Sequence, residues 1–163
     1  MALFAAGQRV LASQLNLLGQ LPAAPTTTAS SGTITSAGTE TRDDVLGPYQ
    51  FPAVSGARYR VVIDNLKSGT TVANDLFALR IRQRSDSTTP TAADTLVAES
   101  QALFPVTGGP GQVGCSFSSE FVASVTGTNT LAFFAARLSG TGTFTPLSSG
   151  VARQLYVIAM GTT

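Results

Sequence analysis

The sequence predicts an all-β chain, an antiparallel sandwich or jelly roll preceded by a short N-terminal helical arm. Apolar and polar residues alternate with period two over most of the chain, and turn-forming residues recur at short intervals. After Gln20 no segment has the length and period of a crossover helix, which argues against a parallel α/β sheet. Composition agrees: charged residues are 12% of 163 and apolar ones 43%, and Thr, Ser and Gly dominate the polar remainder, suiting pleated surfaces and tight turns. A chain of this length buries roughly 70% of its unfolded surface, so one domain with a short appendage is expected. We place the arm at residues 1–25 and the sandwich at 26–163.

Within the arm, Leu11, Leu15 and Leu18 fall at i, i+4 and i+7, with Gly19 placed to stop the helix. So short a helix is marginal alone in water. It needs a surface, either its own sandwich or another chain, and Phe4, Val10, Leu11, Leu15 and Leu18 are the candidate attachment residues. Gln20 to Gly32, QLPAAPTTTASSG, reads as a semi-extended tether.

From Thr33 the period becomes two. Tyr59, Val61 and Ile63 alternate with Arg58, Arg60 and Asp64, and Phe77, Leu79 and Ile81 alternate with Arg80, Arg82 and Arg84. Val113, Cys115, Phe117 and Phe121 continue the pattern. Leu131 to Leu138 (LAFFAARL) and Leu155 to Met160 (LYVIAM) are apolar on both faces, as in central strands or strands covered by a neighbouring subunit. Turn chemistry marks breaks at Asp64–Gly69, Ser85–Ala93, Gly108–Gly111, Gly127–Asn129 and Ser139–Gly142.

Charge and titratable groups narrow the function. A formal net charge of +1 supplies no field to gather nucleic acid or anionic membrane. Of ten basic residues only Lys67 is a lysine, a skew that suits a GC-rich genome. With no His and one Cys, neither an internal disulfide nor a Cys/His metal site can be built, and Ser-His or Cys-His nucleophile pairs are absent. Cys115, in an alternating strand, reads as a small hydrophobe rather than a nucleophile. Asp43–Asp44 and Asp64 with Asp75 are the carboxylate pairs a glycosidase could use. Asp43–Asp44 reads more simply as a turn, and no spacing resembles a calcium loop. GGPG at Gly108–Gly111 lacks the Lys-Ser/Thr of a phosphate loop. We therefore expect no enzyme activity, cofactor or metal.

Arg80, Arg82 and Arg84 line one strand face and could bind an anion or a neighbouring subunit, or pair with acids on the next strand. No run of roughly eighteen apolar residues is present, and Met1 to Leu21 lacks a charged start and an unbroken apolar centre. Synthesis in the cytoplasm without Sec-type export is expected.

Taken together, FAAGQRVLASQLNLL, GARYRVVIDN, FFAARLSGTGTF and LYVIAMG resemble small structural proteins of tailed phages infecting actinobacteria. That resemblance implies a trimeric jelly-roll or tumour-necrosis-factor-like sandwich serving as head decoration, head fibre or tail-tip part. The expectation is a virion surface protein, made in the host cytoplasm, whose arm docks on the major capsid protein or another virion protein. The alternatives are a tail or baseplate component and a receptor-binding module for host glycans. The lack of Trp weakens the glycan reading, since sugars stack on aromatic faces.

Overall fold

The computed structural model describes residues 38–43, 46, 48–105, 113–146 and 154–162. The expected arm and tether, with Phe4, Val10, Leu11, Leu15 and Leu18, lie outside the described residues, as does the GGPG segment.

Among the described residues nine strands follow in order: β1 (Thr41–Arg42), β2 (Tyr49–Ala53), β3 (Ala57–Thr70), β4 (Asp75–Arg84), β5 (Thr95–Phe104), β6 (Val113–Val122), β7 (Gly127–Ser139), β8 (Phe144–Pro146) and β9 (Gln154–Thr162). They form two antiparallel sheets. In the larger, β1 and β2 both pair with one edge of β7, and β4 and then β5 continue from its other edge. In the smaller, β3 is flanked by β6 on one side and by β8 and β9, end to end, on the other.

One core lies between the sheets, as in a β-sandwich. Tyr59, Val61 and Ile63 from β3 meet Phe77, Leu79 and Ile81 from β4 and Leu131 and Phe133 from β7, all with zero exposure. The period-two reading of β3 and β4 is thus realised side chain by side chain. The aromatics fall into two groups. Phe51 and Phe121 pack on Tyr59 with ring centroids 5.2 and 5.8 Å from it, while Phe77, Phe104 and Phe144 stand 5.0 to 5.9 Å apart at another part of the core. Tyr59 keeps its hydroxyl satisfied by accepting from the Val54 amide at 2.9 Å, as a buried phenol must. Gln83 likewise donates to Asn129 inside the core.

β7 is buried on both faces: Leu131, Phe133 and Ala135 face the core, and Ala132, Phe134 and Ala136 are buried on the outer face. It is a central strand, as its two-sided apolar pattern predicts. β9 differs. It pairs only with β3 among the described residues, and its outward Ile158 and Met160 are 42% and 46% exposed, so LYVIAM is an edge strand with one wet apolar face.

Two expected breaks are strand instead. Asp64–Gly69 lies inside β3, where the register against β6 shifts between Ile63 and Leu66. The turn-forming residues are absorbed as a bulge because pairing flanks it on both edges, with β6 at Ile63 and Leu66 and with β9 and β8 at Asp64 and Ser68. Gly127–Asn129 opens β7, paired with Phe51–Ala53 of β2.

Candidate functional site

Three places on the sandwich gather polar or exposed apolar side chains. The first is the outer face of the larger sheet. Alternation along β4 sends Arg80, Arg82 and Arg84 to that face, and antiparallel register sets Glu99 of β5 opposite Arg80. Arg80 donates to Glu99 at 2.8 Å and reaches Glu40 at 3.4 Å, while Arg82 forks onto both oxygens of Glu40 at 2.8 and 2.7 Å. Arg84 pairs with Asp86 at 3.0 Å and Asp94 at 3.7 Å. Glu40 is only 8% exposed, and its bond to Arg82 holds that guanidinium above its ordinary pKa. Register also puts Phe134 opposite both Arg80 and Arg42, so the ion pairs surround an outward aromatic that is 3% exposed.

The row proposed from sequence is therefore brought together, with four carboxylates of the same chain already on it. An external anion has to compete with those carboxylates.

The second place is the outer face of the smaller sheet. Glu120 of β6 accepts from Arg60 at 2.6 Å and Arg58 at 2.5 Å; Arg60, then Arg58, holds its carboxyl below the usual range. Beside them register aligns Val122 with Arg58, Ile158 with Arg60 and Tyr156 with Val62. Val122, Ile158 and Met160 are 57%, 42% and 46% exposed. The apolar residues of β9 are legible in the sequence, whereas the paired charges of β3 that separate them from Val122 are not.

The third place is a buried clasp. Asp75, with zero exposure, accepts from the Thr70 hydroxyl at 2.5 Å and from the Thr141 amide at 3.1 Å. Arg137 donates to the Gly142 carbonyl at 2.5 Å. These bonds tie the end of β3 to the turn between β7 and β8. They hold a loop and leave the carboxylate no open side for chemistry.

The other acids do not converge with it. Asp64 lies on the outer face of β3 and accepts from Ser116 at 2.5 Å, while Asp43 is buried beside β1. Asp44 lies outside the described residues. Among the described residues no three His, Cys, Asp or Glu side chains gather as a metal site, and no helix is long and apolar enough to cross a membrane. Cys115 is half-buried against the core, and that burial pushes its thiol pKa up, away from the thiolate a nucleophile requires.

Neither a protein-family model nor a curated protein sequence matches the chain.

Proposed function

We propose that this chain is a structural protein of a bacteriophage virion, a capsid decoration protein of the head surface. Its residues 1–25 dock on the major capsid protein or another virion protein, and its sandwich, of jelly-roll or tumour-necrosis-factor-like type, self-associates with three-fold symmetry. The observation that carries this reading is the exposed apolar side chains of Ile158 and Met160 on β9 and of Val122 on β6, on a sheet face whose intervening charges are already paired within the chain. Such a face suits covering by protein. The resemblance of FAAGQRVLASQLNLL to phage structural proteins supplies the setting.

A decoration protein binds the assembled shell in preference to free subunits and stabilises it by mass action. Particles carrying the protein should therefore survive heat that disrupts particles lacking it, and the protein should copurify with heads. Equal survival together with absence from heads would refute the proposal.

A second reading is a glycan-binding module at the tail tip or baseplate. It is favoured by half-buried Tyr156, which sits on that same outer face two register positions from Arg60. Saturable binding of the purified protein on a glycan array, or to host cells, would select this reading over decoration.

A further inference from the structure

We infer that the side of the sandwich closed by β5 and β6 is a two-fold contact between copies of this chain, each strand pairing antiparallel with its own counterpart. The contact goes beyond the virion proposal and does not depend on it. β5 ends the larger sheet and β6 ends the smaller, and the two strands lie against one another across the core. No strand among the described residues pairs with the outward edge of either.

The two sides of the sandwich are unlike. On the opposite side the edges are protected by the devices that discourage strand addition: β2 carries Pro52, β8 carries Pro146, and the register of β9 against β3 shifts between Arg58 and Tyr59. β5 and β6 are continuous ten-residue strands with no Pro and no Lys. Each has a single charge, and that charge is occupied within the chain, Glu99 by Arg80 and Glu120 by Arg58 and Arg60. One register shift near Val97 leaves Ala98–Phe104 straight.

The core also reaches the surface along this side. Val97, Cys115, Phe117 and Phe121 pack on the core yet stay only partly buried, whereas β5 turns the small residues Ala98, Ser100 and Ala102 inward. A two-fold axis normal to the sheets sets β5 on β5 and β6 on β6 together and covers that seam. Centred on Ser100, it sets Glu99 opposite Gln101, which avoids a like-charge pair.

Strands rise about 3.3 Å per residue and sheets stand about 10 Å apart. Two such edges with the seam between them therefore present on the order of 600 Å² per partner, at the lower bound for a specific contact. The association is weak, so the test must span concentration.

Sedimentation of the full chain from low to high micromolar should show an assembly with an even number of copies. Adding charges to both edges, Gln101→Glu against the partner's Glu99 together with Ser118→Lys, should halve its mass and leave the circular dichroism unchanged. In a Cys115→Ser background, Ser100→Cys should form a disulfide-linked dimer on oxidation. A chain that stays monomeric, or an assembly whose mass the added charges leave unchanged, overturns the inference.

Discussion

Replacing Gly142 with alanine should destabilise the sandwich by about 3 kcal/mol. A Cβ built there would stand 2.8 Å from the Val72 amide nitrogen and 2.6 Å from Thr70 Oγ1, and closer still to Asp75 Oδ2. The first neighbour is backbone and the others belong to the clasp, so room can be made only by moving the turn. Overpacking of this kind costs about 1–3 kcal/mol, and hydrogen bonds to a charged group contribute about 1.5–3 kcal/mol. One displacement causes both losses, so they do not add in full.

At about 2–4 °C per kcal/mol for a chain of this size, the midpoint should fall by roughly 6–12 °C. The comparison is Gly56→Ala. Gly56 has a φ of +79° with nothing within 4 Å of the added Cβ, so its substitution costs only the left-handed backbone, about 1–2 kcal/mol. Urea unfolding followed by circular dichroism at pH 7 should rank Gly142→Ala as the more damaging, although only Gly56 has a positive φ. The reverse order would show that the clasp does not close this end of the fold.

Further outcomes follow from the core, the ion pairs and the arm. Phe133→Ala should cost about 3–5 kcal/mol, read in the same urea titration, because Phe133 has zero exposure in the central strand; a loss under 1 kcal/mol would place it outside the core. Tyr59→Phe should cost about 1 kcal/mol or somewhat more by stranding the Val54 amide, and an unchanged midpoint would mean that water replaces the hydroxyl. The fold holds three carboxyls below their usual values: the Thr88 amide and then Arg84 act on Asp86, the Thr91 amide on Asp94, and Arg60 and then Arg58 on Glu120. Such groups add stability that is complete above the unfolded values, 3.8 for Asp and 4.5 for Glu, and disappears as pH falls through the lower folded ones. Melting temperature should therefore stay flat on acidification until below about pH 4.5, and with no His in the chain a drop centred near pH 6 would contradict the assignment. Deleting residues 1–25 should leave a body that melts as before and no longer cosediments with particles; an unfolded product would make the arm part of the core.

Much of the sandwich is legible in the sequence because burial on one face writes a period of two. Tyr59, Val61 and Ile63 show it in β3, and LAFFAARL shows the two-sided burial of a central strand. Local chemistry misleads where pairing overrides it. Asp64, Asn65 and Gly69 are turn formers, yet β6 on one edge and β8 and β9 on the other hold them in a strand at the expense of a bulge. LYVIAM has the composition of a central strand, and no periodicity within it says that its second face stays wet. The arginine row was visible as spacing, but its partners were not. Glu40 stands 42 positions from Arg82 and meets it only because β1 and β4 flank β7. Cross-strand contacts are fixed by register, and a single sequence does not print register.

β3 has a consequence for how the molecule is made. It is the middle of its sheet, and one of its flanks is supplied by β9, whose Thr162 aligns with Ala57. That flank lies bare until the ninth strand has left the ribosome. Pairing between segments so remote along a chain is slow, since loop closure precedes any reward. During that interval a row of unsatisfied backbone groups on an apolar ribbon is open to any passing strand. Yield during synthesis should then depend more on how fast β9 arrives than on the stability of the finished protein.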